Sequence, residues 1–170
     1  MAEAAADKAG EELVIRVAAP ADLAAVCALA EDLAALHHAA WPTVFAPASG
    51  GARDAAYWRD SLDGPDRTAY VAETDGAVVG FITLGVVSEA HTLFQPLRHA
   101  RVNSVCVAAG MRGRGIGRAL MAQAEHWALT QGASELRLVV WDFNRAALQL
   151  YEELGYEMRS HSLAKVLAPG

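Results

Sequence analysis

The stretch Arg112-Gly113-Arg114-Gly115-Ile116-Gly117-Arg118-Ala119-Leu120 holds the residues of this chain best suited to chemistry. It follows an apolar, strand-like run, Val102-Asn103-Ser104-Val105-Cys106-Val107, and opens a run with helical periodicity. The first N–H groups of a helix lack intrahelical acceptors, and the helix dipole favours negative charge beside them. Glycines let a backbone approach an oxyanion closely. Strand, glycine turn and helix start together predict an anion site, and a phosphate-bearing ligand suits it. The spacing excludes two common phosphate loops. A Walker-type loop ends in Gly-Lys-Ser/Thr, whereas Gly117-Arg118-Ala119 stands here. A G-x-G-x-x-G fingerprint would need its third glycine at Arg118 or Leu120. What remains is R-x-x-G-x-G, filled by Arg112, Gly115 and Gly117. Alone, this pattern also fits a glycine hinge or an Arg-Gly tract that touches RNA.

A second pattern follows the strand-like run Leu136-Arg137-Leu138-Val139-Val140-Trp141. Asn144, Ala146, Ala147, Tyr151, Gly155 and Tyr156 spell N-x-A-A-x-x-x-Y-x-x-x-G-[FY]. Together and in this order, the two motifs resemble the acetyl-CoA-binding core of the GNAT superfamily of N-acetyltransferases. The resemblance is strong over about 78–156 and weak before 78, where such enzymes bind the acceptor. It implies an α/β fold: a single mixed, mostly antiparallel sheet with helices on both faces. It implies direct transfer of an acetyl group from acetyl-CoA to a primary amine of a small molecule or peptide, without a metal. A non-catalytic acyl-CoA sensor is the alternative on the same motifs.

The resemblance also distributes roles. Main-chain groups of Arg112, Gly113, Arg114, Gly115, Ile116 and Gly117 would cradle the pyrophosphate, with Arg118 adding charge. Main-chain groups of Val105, Cys106 and Val107 would pair with the pantetheine arm as an added strand does, on backbone left without a sheet partner. Asn144 suits two roles, N-cap of the helix that follows and contact to the cofactor arm. Tyr151 lies on a stripe with Ala147, Leu148 and Leu154, as a core aromatic does. The resemblance makes it the general acid for the departing thiolate; a phenol near ~10 and a thiol near ~8.5 lie close enough for proton transfer. Where ribosomal-protein alanine acetyltransferases carry a Glu, five residues before the Asn, this chain has Val139. That leaves Glu89, His91, His37, His38, Glu31 or a water chain to take the amine's proton. The acceptor is expected between the first helices and the 80s–90s loop, near Trp41, Phe45, Tyr57 and Trp58, beside Glu31 and Asp32.

Composition frames these expectations. A chain of 170 residues, 54% hydrophobic, has room for one domain with a core and argues against disorder. The formal net charge of −6 argues against a general nucleic-acid binder. Arg98, Arg101, Arg112, Arg114 and Arg118 concentrate positive charge locally, as a small anionic ligand requires. Cys27 and Cys106 offer neither a disulfide framework nor metal-ligand spacing. No unbroken run reaches the ~18 apolar residues of a membrane span, and residues 1–12 lack the pattern of a signal peptide. The expectation is a cytoplasmic protein with no membrane partner, a disordered tail over 1–10 and one domain over 11–170. A homodimer would use an exposed last strand or a helix face.

The elements that must position these residues read in order as follows. A strand at 13–17 leads to an amphipathic helix over 20–39, with Pro20 at its start and Leu23, Val26, Ala30, Leu33 and His37 on one stripe. A loop broken by Pro42, Pro47 and Gly50-Gly51 precedes a short helix over 53–62, ended by Asp63-Gly64-Pro65. Strands at 67–73 and 77–87 form a hairpin about Asp75-Gly76, and 89–98 reads as a loop. The strand at 101–108 and the helix at 115–131 carry the glycine turn between them, with Gly132 as the stop. A strand at 135–141, a helix at 145–154 and a last strand within 156–167 complete the chain.

Overall fold

A computed structural model describes residues 12–50, 54–89, 92–93, 95 and 97–167. The expected tail, 1–10, lies outside the described residues. The described residues fall into two compact units, divided between Val139 and Val140.

The first unit is built on a six-stranded sheet. Strand β1 (Val14–Val17) runs antiparallel to β3 (Arg67–Thr74), and the two-residue β2 (Asp63–Gly64) pairs with the start of the same strand. Strand β3 pairs with β4 (Ala77–Glu89), and β4 with β5 (Leu97–Val107), both antiparallel. The last strand, β6 (Leu136–Arg137), is parallel to β5 and makes the sheet mixed. The hairpin turns at Asp75, φ +50°, and Gly76, φ +76°, as its Asp-Gly pair predicts.

Helices cover both faces, and the alternation along β4 shows how. Phe81, fully buried, joins Val26, Leu29 and Ala30 of α1 (Leu23–Ala40) and Trp58 and Leu62 of α2 (Ala55–Leu62) in one core. Burying a side chain of that size contributes roughly 1.5–3 kcal/mol. The neighbouring Gly80 points the other way, where a Cβ would lie 3.3 Å from Leu120 and 3.5 Å from Ile116 of α3 (Ile116–Thr130). Leu120, Met121, Ala124, Trp127 and Ala128 form the buried stripe of α3, in line with its 3.6-residue period. Gly132, φ +69°, ends this helix as expected.

By length and composition the segment 20–40 is apolar enough to cross a bilayer, although no unbroken apolar run announces it. In the fold it is a helix that buries Val26, Leu29 and Ala30 against the sheet and leaves most of its length part-exposed, preceded by a single 3₁₀ turn, Pro20–Asp22. Arg16 on β1 clamps that turn. Its guanidinium meets Asp22 at 2.7 and 2.9 Å and Glu73 of β3 at 2.7 Å. This bidentate contact holds the Asp22 carboxyl below the usual carboxylate range.

Four expectations need correction. The loop at 89–98 is narrower, because β4 extends through Glu89 and β5 begins at Leu97. Asp63-Gly64 forms a short strand rather than only ending a helix. The strand at 135–141 shrinks to Leu136–Arg137, since only Ala100 and Arg101 pair with it. The last strand within 156–167 is not formed: these residues adopt no regular structure. Leu163 and Val166 are more than nine-tenths exposed, so they gain no burial to offset the cost of fixing the backbone.

The second unit contains α4 (Arg145–Glu153). Both of its ends are capped by the residues of the second motif. Asn144 Oδ1 accepts the Ala147 N–H at 3.3 Å, an N-cap bond. At the other end Gly155 takes φ +86°, the Gly155 N–H reaches Glu152 O and the Tyr156 N–H reaches Tyr151 O. That pair of bonds is a Schellman closure, completed by the Tyr151 and Tyr156 rings at 5.8 Å between centroids.

Candidate active site

Strand β5 gives the site its frame. The register Phe81↔Cys106, Ile82↔Val105 and Gly80↔Val107, with the Ala108 N–H bonded to Val79 O, fixes the ladder phase. Antiparallel pairing alternates, so Cys106 spends its N–H and C=O on β4, whereas Val105 and Val107 turn theirs to the outer edge. On that edge β6 pairs only with Ala100 and Arg101. Among the described residues no strand pairs with the outer edge of 102–107. Two residues of the expected trio thus present main-chain groups to a ligand, and Cys106 does not. The Cys106 side chain packs inward, its thiol 3.4 Å from the Leu29 carbonyl, and burial pushes that thiol up to about 11.

The edge runs directly into the glycine turn. A 3₁₀ turn, Ala109–Met111, leads to Arg112, whose Nε donates to the Val107 carbonyl at 3.1 Å. Gly113 and Gly115 take φ of +76° and +82°, and a Cβ at either would meet nothing within 4 Å. The turn is therefore left-handed where glycine is needed and open where a ligand must approach. Gly115 caps α3, and the first bond of the helix runs from the Ala119 N–H to Gly115 O. The N–H groups of Ile116 and Gly117 precede that bond and have no intrahelical acceptor. Arg112, Arg114 and Arg118 supply positive charge on this exposed surface. An extended arm ending in a pyrophosphate fits these groups, as acetyl-CoA requires.

A cleft of about 390 Å³ lies in the same unit, walled by α1, α2 and Ser104 of β5, and among the described residues the 80s–90s loop expected beside the acceptor supplies none of its lining. Of the residues expected around the acceptor, Glu31, Phe45, Tyr57 and Trp58 line it and Trp41 and Asp32 do not, while His37, a candidate base, lines it too. Sequence reading missed Cys27, Asp54 and Ser104 in its lining, and Ser49 beside it. Only the spacing Cys27, Glu31, Ala34 along one face of α1 carried a signal for the wall. Ser104 brings the cleft onto β5, one residue before Val105.

Of the candidate bases, Glu89 is held by Arg137 at 3.0 Å, and His91 lies outside the described residues. A ring nitrogen of His38 bonds the Phe45 carbonyl at 2.7 Å, and that of His37 bonds the Leu33 carbonyl at 2.8 Å. A carbonyl only accepts, so Nδ1 of each carries a proton and Nε2 is the basic nitrogen in the neutral ring. Asn144 and Tyr151 belong to the second unit. Asn144 caps its helix, and Tyr151 is buried, which pushes its phenol above the usual range. The phenol consequently holds its proton throughout the neutral range.

Comparison with known proteins agrees with this frame. Streptothricin acetyltransferase of Streptomyces lavendulae is 31% identical over 110 residues, covering 65% of this chain and 54% of that protein. The chain thus spans about half the length of that curated relative. The fold matches a single-residue mutant of the BH1408 protein from Bacillus halodurans at a TM-score of 0.86 and 20% identity, over 91% of this chain and 99% of the other. It matches the aminoglycoside N-acetyltransferase AAC(6')-Iy in complex with CoA at 0.75 and 18% identity, over 94% and 97%. The sequence model of the acetyltransferase (GNAT) family covers residues 30–156. With most of the chain inside that match, and an open strand edge leading into a glycine-capped helix, this protein belongs to the GNAT acetyltransferase family.

Proposed function

We propose that the protein transfers an acetyl group from acetyl-CoA to a primary amine of a small molecule. The observation that carries this reading is the continuity of the open edge at Val105 and Val107 with the left-handed turn at Gly113 and Gly115. One edge offers hydrogen bonds to an extended arm, and the helix start beyond it offers N–H groups to phosphate. Holding both substrates converts a two-body encounter into an oriented one. The thioester, when bound, supplies the activated acetyl carbon. The chain's own residues must then accept a proton from the amine and return one to the departing sulfur. Tyr151, buried and protonated, suits the second task. A relative named for streptothricin and a fold neighbour named for aminoglycosides support a small acceptor, and so does a cleft of this size.

Thermal unfolding with acetyl-CoA, CoA and ATP added separately tests the reading. A ligand at a hundred times its Kd stabilises by about 2.7 kcal/mol, roughly 5–10 °C for a chain of this length. A shift with both CoA species and none with ATP is expected, followed by amine-dependent thiol release. A shift without thiol release from any amine makes the protein an acyl-CoA-binding module. No shift removes the proposal.

A further inference from the structure

Among the described residues His37 is the one histidine that lines the cleft on α1 and α2, and its ring is held from two sides. It sits in the last turn of α1, where Nδ1 meets the Leu33 carbonyl one turn back at 2.8 Å. A carbonyl only accepts, so Nδ1 is the protonated nitrogen and the basic lone pair belongs to Nε2. The ring packs edge-on against Phe45, with 4.8 Å between centroids. Phe45 is itself fixed: its carbonyl accepts from His38 Nδ1 at 2.7 Å, and its N–H donates to the Trp41 carbonyl at 3.0 Å. Tautomer and ring plane are both set by these contacts, as a positioned base requires.

The cleft's other titratable lining groups are Cys27, Glu31, Asp54 and Tyr57, and among the described residues no Lys or Arg belongs to the lining. Burial raises the Cys27 thiol above its ordinary value, so it keeps its proton near neutral pH. Glu31 accepts from the Ser49 hydroxyl at 3.2 Å and from the Gly50 N–H at 3.1 Å, and Asp54 Oδ2 lies 3.4 Å from the same hydroxyl. Donors that stabilise a carboxylate make it a weaker base. Histidine is the side-chain type that changes charge near neutral pH, where a general base works best. The cleft also reaches Ser104 on β5, the neighbour of Val105, whose main chain faces the open edge. One cavity therefore joins His37 to the strand along which the thioester is presented.

We propose that His37 Nε2 is the general base of the transfer, taking a proton from the acceptor amine directly or through one water. This rests on the acetyltransferase reading and goes further, because it names the residue that generates the nucleophile. An ammonium has no lone pair, so it gives a proton to Nε2 before it attacks. The freed pair forms the N–C bond as the C–S bond breaks. Sulfur leaves with the bonding electrons and regains a proton, matching the one the new amide nitrogen sheds. The imidazolium returns its own proton to water.

The test compares the wild type with His37→Asn, His37→Gln and His38→Asn. An Asn amide keeps a donor where Nδ1 stood, and neither amide is basic. Thiol release from acetyl-CoA is followed between about pH 6 and 9, with phenethylamine, glycinamide and an aminoglycoside as probe amines. Both His37 variants are expected to lose about 10²-fold or more in kcat near neutral pH. The deficit should shrink as pH rises and hydroxide takes the proton instead, while His38→Asn keeps the wild-type pH profile. A CoA-induced rise in unfolding temperature equal to that of the wild type shows that a His37 variant is folded with its cofactor surface intact. Wild-type turnover in those variants, a deficit equal at every pH, or a profile that His38→Asn alters as much overturns the inference and leaves the acetyltransferase reading standing. No thiol release by the wild type from any probe amine, with the CoA shift present, overturns the transferase reading and this role with it.

Discussion

The Arg112 side chain donates through Nε to the Val107 carbonyl at 3.1 Å, which ties the first residue of the glycine turn to the last residue of β5. The tie makes the open strand edge and the phosphate turn one continuous surface. Arg112 is exposed, so removing it costs little burial. A hydrogen bond from a charged donor contributes ~1.5–3 kcal/mol. Arg112→Ala is therefore expected to fold and to weaken CoA binding by about tenfold or more, measured by titration calorimetry. An unchanged Kd would show that the tie does not position the turn.

Gly115 separates backbone strain from steric exclusion. Its φ is +82°, and a Cβ there would meet nothing within 4 Å. Gly115→Ala therefore costs only the left-handed penalty, ~1–2 kcal/mol. The melting temperature should fall by roughly 2–8 °C, and the CoA-induced shift should shrink because the α3 cap relaxes away from its geometry. Gly110→Ala is the control, since its Cβ also meets open space and its φ is not left-handed. Similar losses at the two positions would mean that strain at Gly115 is not what shapes the turn.

Tyr151 carries the proposed proton to sulfur. Burial raises its phenol above the usual value, so the acid form persists across the pH range in which a thiolate of ordinary acidity leaves. Tyr151→Phe keeps the ring that packs on Tyr156 and loses only the hydroxyl. The variant is expected to unfold at nearly the wild-type temperature and to keep its CoA shift, with thiol release reduced about 10²–10⁴-fold. Turnover at the wild-type rate would remove Tyr151 from catalysis.

The helices were the legible part of this chain. Periodic apolar stripes end at Gly132 and Gly155, and both glycines take the left-handed φ that stops α3 and α4. Part of the second motif has this local cause: Tyr151, Gly155 and Tyr156 make the Schellman closure, and Asn144 makes the N-cap. Strands were less legible because a strand exists only with a partner. The run at 135–141 has a strand's composition but pairs only at Leu136 and Arg137, and 156–167 pairs with nothing among the described residues. Along β5, a bulge places Asn103 between the pairs Thr83↔Ser104 and Leu84↔Val102. It shifts the alternation, so that His99 and Arg101 share a face with Ser104 and Cys106. No local pattern announces that shift. The cleft on α1 and α2 was half legible: its aromatics and Glu31 stand out by type, whereas Ser49, Asp54 and Ser104 matter only once α1, α2 and β5 are assembled.

His99 predicts how the stability of the chain responds to acid. It is 4% exposed on β5, paired across the sheet with Val87, and its Nδ1 has no hydrogen-bond partner. Burial disfavours the imidazolium, and the Arg137 and Arg101 cations add to that effect, while Glu89 and Glu135 act in the opposite direction. The net result is a proton affinity below that of an ordinary histidine. As pH falls below about 6.5, the unfolded chain takes a proton that the folded chain refuses. His99 therefore lowers stability progressively from about pH 6.5 down to its folded-state value, and adds no pH dependence above about 6.5. His99→Leu removes both the titration and the unsatisfied nitrogen. Urea unfolding midpoints between pH 5 and 8 should fall less steeply toward acid in the variant than in the wild type, the other histidines being common to both. Parallel profiles would mean that His99 gains its proton equally in the folded and unfolded chain.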